Sequence, residues 1–176
     1  MKFARIALAG ATIFAASAAA APVKIGVINS LTGPEAPIGE DLSNGIKLAI
    51  EDLKKKDIEV QAVWEDDTGK PQIGISAMEK LATRDNVAGV VGAYTSSVTS
   101  VVAKTAERYK VPLVNPVASK EEITRQGYKF VFRVSATTND YAQVLLDMAT
   151  TFGQPKTMAI LNENTDFGVS GGRSAK

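Results

Sequence analysis

Residues 88–99, AGVVGAYTSSVT, constrain the fold more than any other stretch of the chain. The apolar run 88–94 has the character of a strand buried on both faces of a parallel sheet. It passes directly into four hydroxyls in five residues: Thr95, Ser96, Ser97 and Thr99. A helix follows, because Val98, Val101, Val102, Thr105 and Tyr109 recur three or four apart. The pattern then repeats, with a strand over 111–117 (VPLVNPV) running into Ala118 and Ser119. Two neighbouring strands thus bring hydroxyls and unpaired helix-start N–H groups to the carboxyl edge of one sheet. Open α/β sheets bind ligands at that edge, and helix N-termini there favour anions.

The remaining segments supply the rest of such a sheet. Residues 23–30 (VKIGVINS) form the first strand, and the loop 31–39 after it is rich in turn formers. A long amphipathic helix comes next, with Leu42, Ile46, Ala49, Ile50 and Leu53 on one face. Asp41, Ser43, Lys47, Glu51 and Lys54 occupy its polar face, and Lys54, Lys55 and Lys56 end it with cations that suit the helix dipole. Residues 58–65 alternate and are β-rich, so they form the second strand. The DDTGKP turn at 66–71 invites a metal or acid–base role for Asp66 and Asp67, but carboxylates before Gly and Pro are the ordinary chemistry of turns and caps. The helix over 71–85 turns Ile75, Met78, Leu81 and Ala82 inward, with Met78 as core filling.

Past the central stretch, Ser119 and Glu122 fit a capping box and open a short helical turn to about Gln126. A fifth strand spans 129–135. Thr137 and Asp140 fit a second capping box, and the helix they start carries Tyr141, Val144, Leu145, Met148 and Phe152 on one face. Residues 157–162 (TMAILN) read as a sixth strand, followed by a polar loop and a helix start near Phe167. Strands alternating with helices predict an α/β protein with a doubly wound parallel sheet.

The first 20 residues read as a secretory leader: Lys2 and Arg5, an apolar stretch over 6–16, and small residues before a cut after Ala20. Without the leader, 18 Lys and Arg face 19 Asp and Glu, a net charge of −1 with no basic field for nucleic acid. There is no cysteine, hence no disulfide and no lipid-bearing cysteine, and an unlipidated periplasmic protein is expected. There is no histidine either, which removes Ser-His-Asp catalysis and most zinc and transition-metal sites. No G-x-S-x-G elbow surrounds Ser96 or Ser97, and no Lys lies beside them in sequence, so a serine hydrolase is excluded. The expectation is a binding protein, not an enzyme, needing no cofactor and no metal.

Five segments together resemble one family: VKIGVINSLTGPEAPIGEDLSNGIKLAIEDL, the EDDTGKP turn, GVVGAYTSSVTSVV, VPLVNPVASKEEIT and YKFVFRVS. They are similar, in order and spacing, to the type I periplasmic solute-binding proteins of ABC importers, in the branch that binds leucine-type amino acids and related small acids and amides. The resemblance implies two Rossmann-like lobes that close on a ligand about a hinge. It divides the chain into the leader (1–20), a first lobe (21–135), a hinge crossover (136–138) and a second lobe only begun (139–176), the whole reading as an N-terminal fragment. It also implies ligand contacts at Ser96, with Thr95, Ser97 and Thr99 nearby, at the Val117 carbonyl and Ser119, and at Ile38 after the first strand. Phe167 is the first implied contact of the second lobe.

Several of these residues carry a second reading. Ser96 is the N-cap of its helix and, in the same place, a donor. Ser119 spends its hydroxyl in the capping box and keeps its N–H for a ligand. Tyr94 lines the cleft or packs, and Phe167 forms a cleft wall. The implied partners are a small amino acid, acid or amide and the permease subunits, with the full-length protein a monomer. A sensory ligand-binding domain of the same fold, coupled to a signalling partner, is the alternative to transport.

Overall fold

The computed structural model describes residues 21–153 and 155–176, so the leader expected over 1–20 lies outside the described residues. Five parallel strands form one sheet: β1 (Val23–Asn29), β2 (Val60–Asp66), β3 (Gly89–Gly92), β4 (Leu113–Asn115) and β5 (Val131–Arg133), in the order β2-β1-β3-β4-β5. The register aligns Val27 with Trp64 on one side and with Val91 on the other. Gly26, Val27, Ile28, Asn29 and Ser30 are buried in succession, as a strand covered on both faces requires.

Helices α1 (Ala36–Lys54), α2 (Pro71–Lys80) and α3 (Ser96–Tyr109) make the crossovers. The chain steps from β1 outward to β2 and then back across to β3, so right-handed crossovers put α1 on one face and α2 and α3 on the other. Trp64 of β2 meets α1, where Lys47 stands 5.9 Å from its ring centre. The main core lies under the opposite face, where Ile28, Val90 and Leu113 pack with Met78, Leu81, Val98 and Val102. Met78 is fully buried, in keeping with a core-filling role.

Two glycines allow close approaches that position the carboxyl edge. At Gly39 any Cβ would collide with the Ser30 carbonyl, so the start of α1 lies directly against the end of β1. Gly92 has φ +145°, and a side chain there would meet the Ile28 carbonyl. Asn29 seals the first contact, its amide donating to the Gly39 carbonyl at 2.6 Å and to the Ser43 hydroxyl at 3.0 Å. Ser43 is therefore buried beneath α1 and not on its polar face, a correction that periodicity alone misses because a strand-end asparagine reaches it.

After β5 come α4 (Thr138–Phe152) and α5 (Asp166–Ser174). The Thr137–Asp140 capping box forms with both of its reciprocal hydrogen bonds. The apolar face expected on α4 is present, yet Val144, Leu145 and Met148 are exposed. The sixth strand is not found. Residues 157–162 are irregular, and Leu161 is 100% exposed. A strand exists by pairing, and none of the five strands lies alongside this segment to complete a ladder.

Candidate functional site

The strand order reverses direction at β1 and β3, and the carboxyl edge beside that reversal is the position at which open α/β sheets form a crevice. A cavity of about 660 Å3 opens there. The loop after β1 contributes Glu35, and the turn after β2 contributes Gly69. Tyr94, Thr95, Ser96 and Ser97 come from the end of β3 and the start of α3. Val117, Ala118 and Ser119 follow β4. The far wall is Tyr141 of α4 with Glu163, Thr165, Asp166 and Phe167 at the start of α5.

The cap of α3 differs from expectation by one residue. Thr95, in extended conformation, is the N-cap, and its hydroxyl accepts the Val98 N–H at 3.4 Å. Ser96 therefore stands in the first turn, where its hydroxyl accepts the Lys120 N–H at 3.4 Å. Thr99 is turned away from the cavity, fully buried, with its hydroxyl donating to the Thr95 carbonyl at 2.7 Å. Ile38 also lies outside the cavity wall and is 47% exposed.

The capping box expected at Ser119 is absent. The turn there is a single 3-10 turn, Glu121–Ile123, with Lys120 at its N-cap and no side-chain cap. Other contacts hold the segment. The Asn115 amide donates to the Ala118 carbonyl at 2.6 Å, and the Asn115 side-chain oxygen accepts the Val117 N–H at 3.2 Å. The Arg133 guanidinium donates to the carbonyls of Ala118 and of Lys120, the latter at 2.7 Å, and to the Thr124 hydroxyl at 3.2 Å. With the bend fixed by Asn115 and Arg133, a local capping box is not needed to fix it. The Ser119 carbonyl meanwhile accepts the Thr138 N–H at 2.8 Å, joining this turn to the start of α4.

Asp66 and Asp67 behave as turn residues. The Asp66 carboxylate accepts from the N–H groups of Leu31 and Thr68, both at 2.9 Å, and from the Thr32 hydroxyl at 2.5 Å. Burial works against this carboxylate, but hydrogen bonds from Thr32, Thr68 and Leu31 together hold it below its ordinary range. Asp67 is fully buried and accepts from the Ser30 hydroxyl at 2.6 Å and the Gly69 N–H at 2.8 Å, with its second oxygen unpaired among the described residues. Burial pushes its carboxyl up despite those two bonds, and the Asp66 charge adds to the effect.

Charge is unevenly spread around the cavity. Lys120 is held by Asp166 at 2.8 Å. Glu163 accepts from the Thr165 hydroxyl at 2.6 Å, while the Tyr94 phenol is pushed up by burial and then by the fields of Glu35 and Glu163. The ends of β3 and β4 thus supply hydroxyl and N–H donors, while Glu35 from the loop after β1 and Glu163 and Asp166 from the far wall supply carboxylates. Glu35, Gly69, Tyr141 and Glu163 were not among the residues singled out from the sequence. The available signal for Glu35 was its place after the first strand, which ends at the same edge as the third and fourth.

The sequence model of the periplasmic binding protein family matches residues 22–176. A Leu/Ile/Val-binding protein homolog of Brucella melitensis is 33% identical over 162 residues, covering 90% of this chain and 44% of the relative. The leucine-, isoleucine-, valine-, threonine- and alanine-binding protein of Pseudomonas aeruginosa is 31% identical, covering 94% of this chain and 45% of the relative. Among solved structures, a leucine binding protein of Thermotoga maritima superposes with a TM-score of 0.78 at 25% identity, covering 87% of this chain and 44% of that one. The chain thus spans less than half the length of the relatives it matches.

Proposed function

The chain belongs to the periplasmic binding protein family, in its type I branch of Leu/Ile/Val-binding-like proteins, and from that premise we propose that it forms the first lobe, and the beginning of the second, of an ABC-importer receptor for a small carboxylate solute. In this reading residues 21–135 are the first lobe, 136–138 the crossover, and 139 onward the start of the second lobe. The protein is exported by its leader, captures an amino acid or related small acid outside the cytoplasm, and presents it to membrane permease subunits. An intact mass beginning at Ala21 tests the export step.

One observation carries the proposal. Ser96, Ser97 and Ser119, from two adjacent strand ends, face one cavity with no Lys or Arg among its lining residues as described, and Lys120, beside Ser119, is already paired with Asp166. Donors without a fixed positive charge suit a carboxylate, since a hydrogen bond to a charged acceptor contributes about 1.5–3 kcal/mol. The helix N-terminus adds about 0.3–1 kcal/mol. A neutral amide uses the same donors more weakly. Calorimetry on the intact protein with a small acid and its primary amide is the test. Equal affinity for the two overturns the carboxylate assignment.

A further inference from the structure

The cleft has an end that the carboxylate reading leaves unused. Glu35 lines it from the loop after β1, and that loop is firmly held. Asp66 grips its first residues through the N–H groups of Leu31 and Thr32 and the Thr32 hydroxyl. Gly33 turns it with φ +88°, and the Glu35 carbonyl accepts the Gly39 N–H at 3.0 Å. The Glu35 side chain packs over Gly69, its Cγ 3.6 Å from where a β-carbon of that residue would stand. The stem of the side chain thus rests on the turn after β2, and the residue is part of the cavity wall.

Among the described residues no ion pair includes Glu35, and Lys120, beside the lining residue Ser119, is taken by Asp166. Across the cavity stands a second carboxylate, Glu163, and the Tyr94 phenol feels both. An acid with a plain hydrocarbon tail would cover Glu35 and strip its water without replacing it, a large penalty for an ionised group. A ligand with a donor at its far end restores the lost hydrogen bonds.

Resting on the carboxylate reading, we propose that Glu35 is a specificity-determining residue, selecting small acids that carry a hydrogen-bond donor, hydroxyl or ammonium, at the end remote from the carboxylate. The ligand then lies across the cleft with its acid at Ser96 and Ser119 and its donor at Glu35.

Titration calorimetry of the intact protein with hexanoate, 6-hydroxyhexanoate and 6-aminohexanoate tests this, repeated on Glu35→Gln and Glu35→Leu. Wild type is expected to bind one or both donor-bearing acids about ten-fold or more tighter than hexanoate. Glu35→Leu abolishes or reverses that order. Glu35→Gln, the same size and uncharged, keeps a preference for the hydroxyl and loses any extra affinity for the ammonium, which separates the two donors. Unaltered circular dichroism establishes that the variants fold. Equal binding of all three acids by wild type, with Ser96→Ala weakening each, overturns the role of Glu35 and leaves the carboxylate site standing. Binding of none at millimolar concentration overturns both.

Discussion

The Ser96 hydroxyl accepts the backbone N–H of Lys120 at 3.4 Å, so the first turn of α3 and the turn after β4 hold one another at the cleft floor. That contact occupies an acceptor site of the hydroxyl and leaves its proton directed by whatever enters the cavity. A serine that caps its own helix would be less free, and Thr95 performs that task instead.

Ser96→Ala should therefore weaken binding of a carboxylate ligand by about 1–3 kcal/mol. Ser43 is an unsuitable control because it is buried against Asn29. Ser76, exposed on α2 and bonded only to its own helix at the Gln72 carbonyl, is the better one. Calorimetry on both alanine variants checks the difference, and an equal loss from each would remove Ser96 from the site.

Arg133 holds the turn that presents Val117 and Ser119. Arg133→Met leaves the Lys120 carbonyl without its guanidinium and the Ala118 carbonyl with Asn115 alone. The expected loss of stability is about 1.5–3 kcal/mol by denaturant unfolding, with weaker ligand binding in the same variant. Unchanged stability would mean that Asn115 suffices.

Asp67 predicts a pH dependence of defined sign. Its folded-state pKa is raised, chiefly by burial, above an ordinary value of 3.8. The folded protein therefore holds this proton more tightly than the unfolded chain, and stability falls as pH rises from about the ordinary value through the folded one. Asp67→Asn keeps an oxygen for Ser30 and Gly69 and removes the buried charge. Relative to wild type, the variant should gain stability above that window and lose the downward slope within it. Thermal melts across the acid range decide, and parallel curves would show that Asp67 does not titrate there.

Much of the fold was legible because it rests on short-range rules. Periodicity located five strands and the helices between them, the Thr137–Asp140 box was readable from spacing alone, and the hydroxyl-rich ends of the third and fourth strands marked the carboxyl edge. The failures share a cause. Residues 157–162 have strand composition, but pairing requires a neighbour that no local pattern supplies. Ser119 has the spacing of a capping box, but Asn115 and Arg133, the latter distant in sequence, fix that turn. Thr99 follows the other hydroxyls in sequence, but the pitch of α3 turns it back onto the Thr95 carbonyl.

The alternation of elements, the exclusion of histidine and cysteine chemistry and the family resemblance all follow from the order of residues along the chain. Which side chains share the cleft follows from how the elements pack. Glu35, Tyr94 and Glu163 are far apart along the chain: parallel strands bring the loops of the first two to one edge, and α5, packed against α3 and α4, brings Glu163 to the same cavity. Local propensity fixes where a loop begins. Which loops face each other depends on strand order, and strand order is set by burial of the whole sheet.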